Sequence, residues 1–129
     1  MTTTALANDA APRVLIVDDE VGILDSLRIL LKTEGFVPFT AHGGKQGVER
    51  IAELRPDIVL TDVRMPDVGG VQVLSTARQV DPEIPVILMT AQATLQSAIQ
   101  AVNEGAFYYI QKPFRNDELL AILLSLIHI

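Results

Sequence analysis

The chain has 129 residues, a formal net charge of −6 and no cysteine, with 49% hydrophobic and 20% charged residues. That size suits one domain burying roughly two-thirds of its extended surface, and the composition excludes intrinsic disorder over most of it. The missing cysteines exclude disulfides, thiolate zinc sites and cysteine nucleophiles, and an acidic balance with no Lys/Arg cluster excludes a domain that grips nucleic acid directly.

From the N-terminus, residues 1–12 lack both a basic segment and an apolar run of useful length, so they read as a disordered lead-in rather than a secretory signal. The run Val14-Leu15-Ile16-Val17 predicts a first strand. Ile23, Leu24, Leu27, Leu30 and Leu31 then recur at helical spacing as one apolar stripe, which Gly35 can terminate. Phe36 to Thr40 is a weaker strand, followed by a helix marked by Val48, Ile51 and Leu54. Ile58-Val59-Leu60 predicts the third strand, and Val73, Leu74 and Ala77 mark the third helix. Val86-Ile87-Leu88-Met89 predicts the fourth strand, and Leu95, Ala98, Ile99 and Val102 mark a helix ending at Gly105. Phe107 to Ile110 is a weaker fifth strand, and Leu119, Leu120 and Leu123 begin the last helix. Strands that are apolar throughout are covered on both faces, the pattern of a parallel sheet. Five strand–helix units therefore predict a single α/β domain with right-handed crossovers and helices on both sides.

In such a sheet the functional crevice lies beyond the carboxyl ends of the strands, where strand order reverses. Asp18, Asp19 and Glu20 follow the first strand, Asp62 the third, Thr90 closes the fourth, and Lys112 follows the fifth. Three carboxylates gathered there repel unless a cation shares the site. Oxygen donors with no His or Cys beside them suit a hard ion, and Mg2+ is the natural choice. Such a centre organises phosphoryl chemistry, with one Asp as nucleophile and a Lys and a Thr on the phosphoryl oxygens. Each residue also has a plain structural reading; Asp19 or Glu20 is well placed to cap the helix starting near Val21. What favours the chemical reading is convergence at four strand ends. Asp9, Asp25, Asp57, Asp67, Asp81 and Asp117 lie elsewhere and are assigned solvation, capping or turn roles, and His42, beside Gly43-Gly44, is expected to be an exposed loop residue.

The segments VLIVDDE, DIVLTDVRMPDVGG, VILMTAQ and GAFYYIQKPF resemble the receiver domains of bacterial two-component response regulators, over about Arg13 to Leu123. Within that family the chain looks most like receivers of nitrogen-regulator-type, sigma-54-dependent activators. The resemblance implies a flavodoxin-like (βα)5 three-layer sandwich with a five-stranded parallel sheet of order 2-1-3-4-5. It implies that Asp62 is the phosphoacceptor and that Mg2+ is held by Asp18, Asp19, Asp62 and the backbone carbonyl of Arg64. Thr90 and Lys112 would contact the phosphoryl group, Tyr109 would be the aromatic switch, and the Lys112–Pro113 bond would be cis. The implied partners are a sensor histidine kinase, a C-terminal AAA+ and DNA-binding effector and a second copy in a homodimer, in a cytoplasmic regulator of transcription with no direct nucleic-acid or membrane contact. Two departures stand out: Gly69-Gly70 replaces a common Asp-Gly, weakening the expected cap on the third helix, and Arg64 puts a long cation beside the acceptor.

Two other readings compete. A Mg2+-dependent phosphohydrolase working through a phosphoaspartate needs a second carboxylate where Arg64 stands and a substrate cap that this length does not accommodate. A receiver-like protein-binding module that is never phosphorylated has no need of the intact set Asp18, Asp19, Asp62, Thr90 and Lys112. After Glu118 no charged residue follows, and residues 124–129 are expected to be a non-native tail, as a sequencing adaptor read in frame would encode, with the native continuation missing. The alternative is a helix whose apolar side meets a partner. The apolar stretch Leu119 to Ile129 is too short for the roughly 20 residues of a membrane span.

Overall fold

The computed structural model describes residues 11–127. Most of the expected lead-in, and the last two residues of the expected tail, lie outside them. Strands and helices alternate as β1 (Arg13–Asp18), α1 (Val21–Thr33), β2 (Val37–His42), α2 (Gly44–Leu54), β3 (Ile58–Asp62), α3 (Gly70–Val80), β4 (Val86–Thr90), α4 (Leu95–Asn103), β5 (Tyr108–Gln111) and α5 (Asn116–Leu126). All strand pairs are parallel, in the order β2-β1-β3-β4-β5.

Side chains alternate across a strand with period two, and the apolar runs use both faces. Val14 and Ile16 pack with Leu24, Leu27 and Leu31 of α1 and with Leu119, Ile122 and Leu123 of α5. Leu15 and Val17 point the other way, against Ile51 of α2, Val73, Leu74 and Ala77 of α3 and Ala101 of α4. The result is three layers with a core on each side of the sheet. The strands that read weakly from sequence, β2 and β5, are the two edges. An edge strand has less to bury, so its sequence carries less apolar signal.

Helix ends follow their local chemistry. After α1, Gly35 adopts φ +94° and Phe36 N–H donates to the Leu31 carbonyl at 2.9 Å, a Schellman closure that a side-chain-bearing residue would resist. At α4 the spacing located the helix but not its buried side. Leu95, Ile99 and Val102 are 80%, 52% and 72% exposed, and only Ala101 is buried. Although α5 has no polar stripe, it turns Leu119, Ile122 and Leu123 inward and leaves Leu124 exposed; Leu124 to Leu126 of the expected tail continue this helix. Among the described residues no helix is long and apolar enough to cross a membrane.

Candidate functional site at the strand carboxyl ends

Strand order reverses at β1, which lies between β2 and β3, so the β1 and β3 ends flank the crevice. Asp18 ends β1 and Asp62 ends β3, both buried, while Asp19 is exposed in the turn before α1. One carboxylate oxygen from each lies within 4.8 Å of the others, a grouping with no second example among the described residues. Asp18 Oδ1 accepts from the Glu20 N–H at 3.0 Å. Glu20 occupies the N-cap position of α1 but makes no side-chain cap bond, so the capping alternative for the acidic run is not realised.

The fifth strand delivers the cation. Lys112 N–H donates to the Thr90 carbonyl at 2.7 Å, tying the ends of β4 and β5 together, and the Lys112–Pro113 bond is cis. The Lys112 ammonium donates to Asp18 Oδ2 at 2.8 Å and lies 3.4 Å from Asp62 Oδ1. Burial pushes the Asp62 carboxyl above its ordinary value, the Asp18 charge pushes it further, and Lys112 only partly offsets both. For Lys112 burial works against the charged form, but hydrogen bonding and the charges of Asp18 and Asp62 outweigh it, so its pKa is raised. One ammonium among three carboxylates leaves the cluster net negative.

Thr90 is buried one residue past Met89, the register partner of Asp62, and its hydroxyl oxygen accepts from the Gln92 N–H at 3.1 Å. The hydroxyl proton is left available for another acceptor. Tyr109 is half-buried against the α2–α3–α4 side of the core, and its hydroxyl bonds Ser97 Oγ at the start of α4. Arg64 is exposed in the loop between β3 and α3. An apolar groove of about 350 Å³, lined by Ile23, Leu27, Ala91, Pro113 and Phe114, opens beside Lys112.

The corner between β2 and α2 braces both acidic loops, which sequence reasoning missed. His42 is not a loop residue but the last residue of β2; it is exposed, and its Nε2 bonds the Asp19 carbonyl at 2.8 Å. Gly43 N–H donates to the Asp18 carbonyl at 2.9 Å. Asp67, from the loop that carries Arg64, accepts from Gly44 N–H at 3.1 Å and Lys45 N–H at 3.0 Å, capping α2 from a distant segment. Bonds from Lys45, Val68 and Gly44 hold its carboxyl below the usual range. As the Gly69-Gly70 pair predicts, α3 starts without a side-chain cap; a Cβ on Gly70 would stand 2.2 Å from the Asp62 carbonyl.

Residues 14–124 match the family model of the response regulator receiver domain. The chain belongs to the response regulator receiver domain family. Among curated proteins it is 40% identical over 114 residues to Regulatory protein AtoC of Escherichia coli, 88% of this chain and 25% of that one. It is 38% identical to DNA-binding transcriptional regulator NtrC of the same species, over 85% of this chain and 24% of the relative. This receiver domain therefore spans about a quarter of those relatives' length. A solved CheY-like receiver domain protein from Methanospirillum hungatei superposes with TM-score 0.86 and 32% identity, covering 90% of this chain and 93% of the other. Response regulator TrrA of Thermotoga maritima, solved in complex with Mg(2+)-BeF, superposes with TM-score 0.81 and 30% identity, over 90% and 99% of the two chains. Receiver domains bind Mg2+ at an acidic pocket, and Asp18, Asp19 and Asp62 form an acidic cluster here.

Proposed function

We propose that Asp62 is the phosphoacceptor and that it takes a phosphoryl group from the phosphohistidine of a sensor histidine kinase or from a small acyl phosphate. What carries this reading is the Lys112 ammonium, 2.8 Å from Asp18 and 3.4 Å from Asp62, beside a cluster that still lacks positive charge. An all-oxygen donor set fits a hard divalent ion, so Asp18, Asp19, Asp62 and the Arg64 carbonyl would hold Mg2+. When bound, Mg2+ supplies neutralisation of the carboxylates and of the incoming phosphoryl oxygens.

In the transfer, an Asp62 carboxylate oxygen forms the new P–O bond as the donor's bond to phosphorus breaks. Asp62 must be ionised for this, and Lys112 is the group that opposes the upward push of burial and of Asp18 on its pKa. Lys112 and the free Thr90 proton then answer the added charge of nearly two units. Drawing Thr90 inward leaves space that Tyr109 follows, which shifts the α4–β5 surface. The groove beside Lys112 offers a protein donor an apolar footing. Likeness to AtoC and NtrC supports a cytoplasmic regulator of transcription with a C-terminal AAA+ and DNA-binding effector. The domain modifies itself and turns over no external substrate.

Incubation with Mg2+ and acetyl phosphate tests this. The expected result is a mass gain of one phosphoryl group that needs Mg2+ and is absent from Asp62→Asn. Sustained release of phosphate over many cycles would mark a hydrolase instead, and no mass gain would mark a binding module.

A further inference from the structure

Resting on the reading of Asp19 as a metal ligand, we infer that His42 is a positioning residue that fixes the backbone carrying Asp19 and thereby sets the affinity of the acidic site for Mg2+. Asp19 is exposed, unlike the buried Asp18 and Asp62, so its direction follows its backbone more than its packing. Besides the local bond from Glu20 N–H to Asp18 Oδ1, that backbone is held by the β2–α2 corner. Consecutive carbonyls, of Asp18 and Asp19, accept bonds from consecutive residues of the β2–α2 corner, Gly43 N–H at 2.9 Å and His42 Nε2 at 2.8 Å.

His42 is itself well anchored. It is the register partner of Asp18 at the end of the β1–β2 ladder, and its own N–H donates to Gln46 Oε1 at 2.8 Å. A carbonyl only accepts, so the ring must carry hydrogen on Nε2. The neutral Nε2–H tautomer and the imidazolium both satisfy that, so the brace does not depend on the charge of the ring. Its contribution is geometric: it fixes the loop before the ion arrives, and the ordering cost is not charged to binding.

Calorimetric titration of MgCl2 into the full chain tests this with His42→Leu, which keeps bulk without a donor, and His42→Gln, whose amide nitrogen reaches the place of Nε2. Loss of one exposed hydrogen bond to the loop predicts Mg2+ binding about 3- to 10-fold weaker in His42→Leu, with His42→Gln within about twofold of the parent. In the metal-free protein, the carbonyl carbon resonance of Asp19 moves in His42→Leu and stays near its place in His42→Gln. Equal affinity in His42→Leu and the parent, or equal weakening in both variants, would overturn the role of His42 while leaving the acidic site intact. Failure of the parent itself to take up Mg2+ would overturn the site reading and this inference together.

Discussion

Lys112 meets Asp18 at 2.8 Å before it meets Asp62 at 3.4 Å. Without a divalent ion, this ammonium is the counter-charge for two buried acids, and removing it strands both. A partly buried pair broken from one side costs roughly 3 kcal/mol, so Lys112→Met is expected to lower metal-free stability by about that amount in urea unfolding with EDTA. Mg2+ is expected to restore much of the loss, since it can neutralise the same oxygens. The pKa of Lys112 is raised, so the contribution is complete below the ordinary lysine value of 10.5 and fades only as pH climbs through the higher folded value. An unchanged midpoint in Lys112→Met would contradict the pairing.

Asp62 has the opposite sign. Burial and the Asp18 charge raise its pKa, so stability falls as pH climbs from the ordinary value of 3.8 to the raised one, and the full penalty applies above it. Asp62→Asn keeps the shape and removes the charge, and it is expected to unfold at higher urea than the parent near neutral pH in EDTA. The advantage shrinks as pH falls toward the ordinary value of 3.8, where the parent carboxyl is protonated too. Parallel urea titrations at neutral and acid pH check this; a parent as stable as Asp62→Asn at neutral pH would remove the case for a strained acceptor.

The central strands β1, β3 and β4 were legible in the sequence because burial on both faces leaves an unbroken apolar run, and the acids at their ends stood out because nothing in a core explains them. The edge strands β2 and β5 were legible only in outline. Ending β2 at Thr40 hid His42, which stands at its carboxyl end just as Asp18, Asp62 and Thr90 stand at theirs. The face of α4 was not legible at all. Periodicity finds an apolar stripe, but here the sheet takes the small Ala101 and leaves Leu95, Ile99 and Val102 outside. Ser97 and His42 escaped for a common reason: their partners lie 12 and 23 residues away, and a bond to a hydroxyl or a backbone carbonyl imposes no sequence pattern.

Two glycines separate packing from helix propensity. At Gly70 a Cβ would stand 2.2 Å from the Asp62 carbonyl and 2.9 Å from Val63 Cα, both backbone atoms that yield only by moving the acceptor's own segment. Gly70→Ala is expected to cost roughly 1–3 kcal/mol and to slow phosphorylation of Asp62. Gly22, in the first turn of α1, has nothing within 4 Å of the same added atom. There alanine is expected to stabilise by about 0.5 kcal/mol or somewhat more, with phosphorylation unaffected. Chemical denaturation and acetyl phosphate labelling of the two variants check the contrast, and a Gly70→Ala protein indistinguishable from Gly22→Ala would refute it.

Ser97 joins the start of α4 to β5 through its hydroxyl. Its hydroxyl donates to the Thr94 carbonyl at 3.0 Å and accepts from the Thr94 N–H at 3.0 Å, completing a capping box at the start of α4. The Tyr109 hydroxyl also bonds Ser97 Oγ, so the phenol is latched onto the helix cap. Ser97→Ala removes the reciprocal half of the capping box and the latch together, keeping only the backbone bond from residue 97 to Thr94 Oγ1, and is expected to cost about 1 kcal/mol, with faster amide exchange in the first turn of α4. Tyr109→Phe removes the latch alone and leaves the Thr94–Ser97 bonds in place. Exchange at α4 in Tyr109→Phe is therefore expected to lie between the parent and Ser97→Ala. If Tyr109→Phe matches the parent throughout that turn, the phenol does not restrain α4, and the path from Tyr109 to the exposed Leu95, Ile99 and Val102 face loses its first step.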